Sequence, residues 1–239
     1  MKTILTPIFV LTFILTTNLF IAADTNNKDK DEFVPIFNGK DLTDWSGIPD
    51  GWKVENGCIV GESTPEKPCK KSHYLYWTKK EPDNFHLKLT FRMQGKGSNS
   101  GIQFRSEKRP NWDTYGYQAD VDDSLQWTGC LFHHKRAAVV KRGFDNKVDP
   151  DGKVQSKQFA DPNELIKLYK PNDWNDYEII ADGSVITLLI NGKMMCRVDD
   201  QHAKDSAKTG IIALQMHQGQ PMKVEFKNIQ LKELKTKTK

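Results

Sequence analysis

The chain has 239 residues, and its 35 lysines and arginines against 31 aspartates and glutamates give a formal net charge of only +4. The basic residues are spread along the whole chain, and much of the excess lies in a C-terminal tail, residues 235–239, so the pattern argues against a nucleic-acid-binding stripe. The length suits a single domain, because β-sandwiches and barrels of roughly 200 to 250 residues commonly fold as one unit.

The N-terminus has the order of regions found in a secretory signal peptide. Met1 and Lys2 precede an apolar stretch from Ile4 to Ile21, and the small residues Ala22 and Ala23 follow it. We therefore predict a signal peptide at residues 1–23, a flexible tether at 24–32, and an exported protein, periplasmic or secreted. The alternative is a single anchor helix, but threonine and proline dilute the stretch, so we expect no membrane span after processing.

Short runs of alternating apolar and polar residues recur along the chain, bounded by Gly, Asn, Asp and Pro. This period of two is typical of β-strands joined by turns. The clearest run is Phe85 to Met93, which has an apolar residue at every second position. The other predicted strands are Trp52 to Gly61, Gly101 to Glu107, Tyr115 to Asp122, Tyr177 to Ala181, Val185 to Ile190, Lys193 to Val198, Thr209 to His217 and Val224 to Leu231. The chain is therefore predicted to be all-β.

Turn and helix signals are few. Asn191-Gly192, between two predicted strands, is typical of a two-residue hairpin turn because both residues tolerate a positive φ. Asp161-Pro162 before an apolar run predicts one short helix with Asp161 as its cap. The polar stretch from Lys141 to Lys170 is otherwise predicted to be an extended excursion at one end of the domain, and loops of that length are usually functional or disordered.

The four cysteines leave three disulfide pairings open. Cys58 and Cys69 flank a loop, and they either close it as a disulfide or remain thiols, since unpaired cysteine is common in protein cores. The cysteine spacing fits no zinc finger or ribbon, and the acidic segments lack a complete calcium loop. No Gly-rich loop joins a strand to a helix. We predict neither a metal nor a nucleotide cofactor.

Polar residues recur on one face of three predicted strands, because residues two apart in a strand point the same way. They are Gln103, Arg105 and Glu107 in the first strand, Gln118, Asp120 and Asp122 in the second, and Gln215 and His217 in the third. This set exceeds what solubility requires and indicates a binding surface. The alternative for Arg105 and Asp120 is a solvated cross-strand ion pair, worth about 0.2 to 1 kcal/mol.

A series of motifs in chain order resembles the 3-keto-disaccharide hydrolase family. The motifs are Phe37 to Leu42 with Trp45, Trp52 to Gly57, Asn99 to Ser106, Gly116 to Asp120, Trp174 to Tyr177, Ile190 to Gly192, and Gly210 to His217 with Val224 to Ile229. The chain departs from the family pattern at Phe132 to Arg136, where relatives often carry tyrosine, acidic residues and arginine.

The resemblance implies an all-β fold over residues 33–234. The expected architecture is a two-sheet antiparallel β-sandwich, a concanavalin A-like jelly roll, with at most one or two short helices. The implied activity is cleavage of 3-keto-glycosides: removal of the C2 proton, elimination of the C1 substituent and addition of water to the enone. A separate oxidoreductase would have to supply the 3-keto sugar, since no cofactor site is predicted here.

This reaction needs a base, a cation that stabilises the enolate, and an acid for the leaving oxygen. With the resemblance, we predict Asp120 as base, Arg105 as the enolate or ketone clamp, and His217 as acid or proton shuttle. Of His133 and His134, only one can face a given site, because neighbours in a strand point to opposite faces. The predicted substrate-binding residues are Gln103, Glu107, Gln118, Gln215 and His133, with an aromatic surface from Trp112, Tyr115 and Trp127, and with Trp77 as a further candidate.

Two other functions remain open. The first is a noncatalytic carbohydrate-binding module, which would keep the groove and the aromatic residues but need no acid or base. The second is an ordinary retaining hydrolase, which would require two carboxylates about 5 to 5.5 Å apart. The E-x-D-x-x-E signature of such sandwiches is present only in part, in Gln118 to Asp122.

Overall fold

The computed structural model describes residues 32–235. The predicted signal peptide, the tether up to residue 31 and the tail beyond Lys235 lie outside the described residues. Within 32–235, none of the helices combines the length and the apolar character needed to cross a membrane.

The described residues form two β-sheets that pack face to face, which confirms the predicted all-β sandwich. The elements are β1 Val34–Pro35, β2 Trp45–Ser46, β3 Trp52–Glu55, β4 Cys58–Ser63, β5 His73–Trp77, β6 Phe85–Gln94, β7 Asn99–Arg109, β8 Asp113–Asp122, β9 Leu131–His133, β10 Ala137–Val140, β11 Phe144–Val148, β12 Val154–Gln158, α1 Pro162–Ile166, β13 Asn175–Asp182, β14 Val185–Ile190, β15 Lys193–Asp200, β16 Ile211–Met216 and β17 Met222–Glu233. A short 3-10 turn, Pro110–Trp112, precedes β8.

One sheet has ten strands and the other has seven. The ten-stranded sheet has the order β12-β11-β15-β14-β13-β6-β17-β4-β3, with β1 added beside β17. The seven-stranded sheet has the order β10-β9-β8-β7-β16-β5-β2. The strand pairs of the described chain are antiparallel apart from β11 and β15, which run parallel. Strands distant in sequence therefore become neighbours, as β7 and β16 do in the smaller sheet.

The core lies between the two sheets. In β6, buried and half-buried residues alternate from Phe85 to Gln94, which confirms the predicted strand and its apolar face. Phe91 packs against Tyr177 from β13, while Phe85 meets Phe104 across the interface between the sheets. Since full burial of one such side chain contributes roughly 1.5 to 3 kcal/mol, this continuous apolar layer fixes both sheets and leaves the opposite faces free for polar residues.

The local turn and helix predictions are confirmed. Asn191 and Gly192 both have positive φ, 50° and 74°, and they join β14 to β15. The helix α1 begins after Asp161, whose side chain accepts a hydrogen bond from the backbone N–H of Asn163. All four cysteines are thiols in the structure, so the loop between Cys58 and Cys69 is not closed by a disulfide.

Two predictions about strands are wrong. The run Trp52 to Gly61 is a hairpin, β3 and β4, because Asn56 and Gly57 turn the chain with φ of 51° and 75°. The excursion Lys141 to Lys170 contains a second hairpin, β11 and β12, which extends the ten-stranded sheet. Its outer strand is exposed at every residue, so neither face carries the apolar alternation that reveals a strand in a sequence.

The predicted place of Arg105 on the polar face is also wrong. The register between β7 and β8 shifts between Phe104 and Glu107, and Arg105 itself has a φ of 45°. A bulge of this kind reverses the side on which the following side chains point. The backbone of Gly210 fits against it so closely that a Cβ there would lie 2.5 Å from the Ser106 nitrogen.

Arg105 instead ties the two sheets together at one end of the sandwich. Its guanidinium donates to the backbone oxygen of Asp83 from Nε at 2.9 Å and from Nη2 at 2.6 Å, and to the oxygen of Gly183 at 2.8 Å. Only 1% of the residue is exposed, and burial lowers the pKa of its guanidinium. Gly183 lies in the turn between β13 and β14 of the ten-stranded sheet, and Asp83 lies in the connection that crosses from β5 to β6 of that sheet. Arg105 itself comes from the seven-stranded sheet.

Candidate functional site

The outer face of the seven-stranded sheet carries a cavity of about 530 Å³. We call it the outer cavity, and the side chains that give it chemical character are Tyr74, Gln118, Asp120, Trp127, His134, Gln215 and His217. A second cavity, of about 470 Å³, lies beside β1 and is lined by six apolar residues, among them Trp77, and by seven polar or charged ones. The predicted sugar-stacking role of Trp77 does not fit this position, because its ring is buried and faces away from the outer cavity.

The pairing of strands arranges the floor of the outer cavity in rows across the sheet. Asp120 of β8 lies opposite Gly101 of β7, and Gln215 of β16 lies opposite Tyr74 of β5. Because Leu214 pairs with Ile102, the next step of the antiparallel register puts Gln215 beside Gly101. Tyr74, Gln215, Gly101 and Asp120 therefore form one row, which the tertiary fold assembles from four separate segments.

Asp120 is the carboxyl group at the centre of this floor. It is only 5% exposed, and burial raises its pKa to about 7, against the opposing effect of a hydrogen bond from Gln118 and with a further rise caused by Asp122. A carboxyl group that titrates near neutral pH can both accept and return a proton. Its environment therefore suits proton transfer.

A chain of side-chain hydrogen bonds leads to Asp120. Gln118 Nε2 donates to Asp120 Oδ1, and Gln103 Nε2 donates to Gln118 Oε1. Ser106 Oγ donates to Gln103 Oε1 at 2.9 Å. Gln103 is fully buried and Gln118 is 4% exposed. The structure thus brings Gln103, Gln118 and Asp120 together, with Gln118 lining the outer cavity and Gln103 beneath it.

Gly101 provides the space in which the Gln118 side chain lies. A Cβ on residue 101 would be 2.6 Å from Gln118 Cγ and 2.9 Å from the backbone oxygen of Ala119. A glycine inside a strand often marks such a close approach. This close contact, and not a turn, explains why the motif Asn99 to Ser106 has a glycine at position 101.

Gly101→Ala is expected to push Gln118 away from Asp120. We expect a loss of about 1 to 3 kcal/mol in the free energy of unfolding, the usual cost of forcing an extra methyl group into a packed site, and weaker ligand binding in the outer cavity. Urea denaturation and calorimetric titration would measure the two effects. Gly61→Ala, in β4 of the other sheet, where the new Cβ would lie 2.8 Å from the Trp52 ring, is the control, because it should cost stability and leave ligand binding unchanged. Unchanged binding in Gly101→Ala would contradict the prediction.

Trp127 reaches the outer cavity because Asp122 organises the loop that carries it. The buried carboxylate of Asp122 accepts hydrogen bonds from the backbone nitrogens of Trp127 and Thr128, both at 2.8 Å. Ser124 donates to the same carboxylate. Asp122 is therefore a loop anchor, although the alternation had placed it among the residues of the binding face.

His134, and not the predicted His133, is the histidine of this pair that lines the outer cavity. The His133 ring is 2% exposed and packs edge-on against Tyr117 at 5.1 Å, and burial, aided by Arg136, lowers its pKa to about 4. The prediction that His133 binds substrate is therefore wrong in its placement. His134, on the opposite face, lines the outer cavity, and so does His217 just beyond β16.

The other predicted binding residues lie outside the lining of the outer cavity. Glu107 is exposed and pairs with Arg109 at 3.0 Å, since it follows the bulge. Tyr115 stacks on His134 with ring centroids 5.9 Å apart, and so supports a cavity residue. Trp112 packs on Tyr76 at 5.6 Å and covers a second apolar cluster on the outer face, beside Asp113 of the cavity rim.

Sequence reasoning missed Tyr74, Phe132, His134 and Lys71, which also line the outer cavity. The strand β5 has large apolar or aromatic residues on both faces, so no alternation revealed Tyr74. The rule that only one of two adjacent histidines can enter the site was correct, and the pairing of Gln118 with Phe132 selects His134, which shares the face of Phe132. That pairing cannot be derived from the local pattern.

In chemical terms, the outer cavity combines one buried carboxyl group of near-neutral pKa, several amides, two imidazoles at the rim and aromatic rings. Amides and carboxylates are suited to sugar hydroxyl groups, and aromatic rings to the apolar faces of sugar rings. Within residues 32–235, no group of three or more His, Cys, Asp or Glu side chains is arranged to hold a metal ion.

Comparison with protein families gives an extended match. The model of the 3-keto-alpha-glucoside-1,2-lyase-like domain matches residues 32–232. A curated relative, the 3-keto-disaccharide hydrolase of Bacteroides thetaiotaomicron, is 27% identical over 174 residues, which cover 66% of this chain and 56% of the relative. The chain thus matches little more than half the length of that relative.

Solved structures share the fold. A protein of Parabacteroides distasonis ATCC 8503, provisionally assigned to the glycosyl hydrolases, is 22% identical with a TM-score of 0.57, covering 85% of this chain and 100% of that one. The carbohydrate binding module CBM66 of Bacillus subtilis is 14% identical with a TM-score of 0.52, covering 80% and 97%. At these identities the likeness establishes the architecture alone.

Proposed function

This chain belongs to the 3-keto-alpha-glucoside-1,2-lyase-like family, and from that premise we propose that it cleaves glycosides that carry a ketone at C3. The substrate would bind in the outer cavity, and the reaction would be elimination followed by hydration. The single observation that carries the proposal is Asp120, a buried carboxyl group with a pKa of about 7 on the floor of that cavity.

In the proposed first step, Asp120 removes the proton from C2, which the neighbouring ketone has made acidic. The electron pair of the C2–H bond forms an enolate with the C3 oxygen. As the ketone re-forms, a C1–C2 double bond appears and the bond from C1 to the leaving oxygen breaks. Oδ1 of Asp120 accepts from Gln118, so Oδ2 is the oxygen available to the substrate.

Gln118 takes the place that the sequence had given to Arg105 as the group facing the enolate. A primary amide has two N–H donors, and Gln118 Nε2 uses one of them for Asp120. The second can reach a C3 oxygen next to the carbon that Asp120 deprotonates. Base and oxyanion donor would thus come from positions two apart on one strand, where residues share a face.

His217 is the proposed acid for the leaving oxygen. The strands β8 and β16 are separated by β7. The Cα atoms of Asp120 and His217 are therefore about 10 Å apart across the sheet and about 7 Å apart along it, or roughly 12 Å in all. A separation of this size between backbone positions leaves room for one sugar ring between the two side chains. When water adds across the C1–C2 double bond, His217 would take a proton from the water and Asp120 would return its proton to C2.

The proposal extends to the setting of the reaction. A separate oxidoreductase would supply the C3 ketone, and the signal sequence at residues 1–23 would direct the protein out of the cytoplasm. Both points rest on the chemistry of the substrate and on the N-terminal sequence pattern.

The test is incubation of the full chain with matched panels of 3-keto and unmodified disaccharides. We expect released sugar and a transient enone absorption in the ultraviolet from the 3-keto panel alone. Because Asp120 must be ionised to act as base, kcat/KM should fall as the pH is lowered through the Asp120 pKa of about 7.

Two outcomes would contradict the proposal. Binding of both panels without turnover would favour a noncatalytic carbohydrate-binding module. Release of sugar from unmodified disaccharides without an enone would indicate ordinary glycoside hydrolysis.

A further inference from the structure

We infer that Gln103 is a positioning residue, which fixes the orientation of the Gln118 amide. The Gln118 N–H in turn stabilises the ionised carboxylate of Asp120 at the floor of the outer cavity. Gln103 is fully buried and lies beneath the outer cavity, so it acts through Gln118 and does not contact a ligand. Its catalytic consequence rests on the proposed function, whereas its effect on the proton affinity of Asp120 does not.

The hydrogen bonds run in one direction along the chain from Gln103 to Asp120. Gln103 Nε2 donates to Gln118 Oε1, and Gln103 Oε1 lies 2.9 Å from Ser106 Oγ. The Ser106 hydroxyl also lies within hydrogen-bond distance of the backbone oxygens of Phe104 and Tyr117, at 3.0 and 3.3 Å. With its oxygen occupied, Gln118 must present Nε2 to Asp120. A reversed Gln118 amide would bring two N–H donors of Gln103 and Gln118 together and would leave two oxygens, Gln118 Oε1 and Asp120 Oδ1, in contact.

Without Gln103, only the ionised carboxylate of Asp120, which accepts but cannot donate, still selects Nε2 of Gln118. A protonated Asp120 can instead donate its O–H to Oε1 of a reversed Gln118 amide. A primary amide is nearly symmetric in shape, so packing alone does not distinguish its oxygen from its nitrogen. The reversed orientation replaces a hydrogen bond to the Asp120 carboxylate with an oxygen. Since hydrogen bonds to the charged form lower a carboxyl pKa, loss of the lock should make Asp120 hold its proton more tightly.

Other groups also face Asp120, and they stay unchanged when Gln103 is replaced. Around the carboxyl are Asp122 on its own strand, Tyr74 on β5, Tyr177 on β13 and Cys130 in the following loop. Across the outer cavity lie Asp113, Lys71, His134 and His217. A change in the proton affinity of Asp120 in a Gln103 variant is therefore assigned to the amide chain.

The experiment is an NMR titration of the full chain labelled with ¹³C in the aspartate carboxyls, with Asp120→Asn used to assign the resonance. In Gln103→Met, which has similar volume but no donor, we expect the midpoint for Asp120 to rise by about one pH unit, or tenfold in proton affinity. In an assay on a 3-keto-glycoside, the acid limb of kcat/KM should shift by the same amount, with a smaller change in KM.

Ile102→Val is the matched control, because it removes a buried methylene from the adjacent residue of β7 without touching the amide chain. It should lower stability and leave the Asp120 midpoint unchanged. If Gln103→Met does not fold, Ser106→Ala removes the anchor of Gln103 and should shift the midpoint upward by a smaller amount. An unchanged midpoint in whichever Gln103 or Ser106 variant folds would overturn the inference, while a shifted midpoint with no turnover in the wild type would overturn only the proposed function.

Discussion

Asp120→Asn is expected to lower kcat/KM on a 3-keto-glycoside by at least about 10²-fold, the usual contribution of a general base. Asparagine keeps the shape of the side chain and can still accept from Gln118, but it cannot take a proton from C2. Steady-state kinetics at pH 8 would measure the loss. Retained turnover would show that another group is the base.

The same substitution is expected to stabilise the protein above neutral pH. The folded protein holds the Asp120 proton to a pKa of about 7, against 3.8 for the unperturbed group, so the folded state loses stability as pH rises from about 4 to about 7. A shift of this size corresponds to roughly 4 kcal/mol. Asparagine does not ionise, and the variant should therefore gain stability relative to wild type over this range.

Urea unfolding of both proteins at pH 4 and pH 8 separates the two effects. The difference in unfolding free energy between Asp120→Asn and wild type should be small at pH 4 and favour the variant at pH 8. A difference that does not change with pH would mean that ionisation of Asp120 does not lower the free energy of unfolding. A gain in stability with a loss of activity is typical of residues retained for function.

Arg105→Met is expected to destabilise the fold and to have little effect on the chemistry of folded molecules. The substitution removes the donors that hold the backbone oxygens of Asp83 and Gly183. Hydrogen bonds from a charged donor contribute about 1.5 to 3 kcal/mol each, so we expect a loss of roughly 3 to 5 kcal/mol in the free energy of unfolding, measured by urea denaturation.

Arg109→Met is the matched control for this loss. Arg109 lies on the same strand, is exposed, pairs with the exposed Glu107 and lies 4.7 Å from the centre of the Tyr115 ring, so its removal should cost about 1 kcal/mol. A catalytic clamp at Arg105 would behave in the opposite way, with normal stability and a large fall in kcat. That result would restore the role which the alternation had predicted.

Part of the candidate site could be predicted from local pattern alone. Gln118 and Asp120 share a face because β8 continues through them without a bulge. In β7, the bulge after Phe104 places the side chains of Gln103 and Arg105 on opposite faces of the sheet. No sequence feature of that run predicts the bulge. Tyr74 was missed because β5 has large residues on both faces, and His134 because the pairing of Phe132 with Gln118 depends on packing across the sheet.

The sequence by itself determined the all-β class, the family, the main strands and the polar residues of β8, since alternation and turn residues are properties of neighbours along the chain. Only the tertiary structure decided that Arg105 turns inward, that His134 instead of His133 meets the cavity, and that Gln103 reaches Asp120 through Gln118. These choices depend on register and close packing between segments far apart in sequence, where a single bulge or one bare glycine changes which side chains meet.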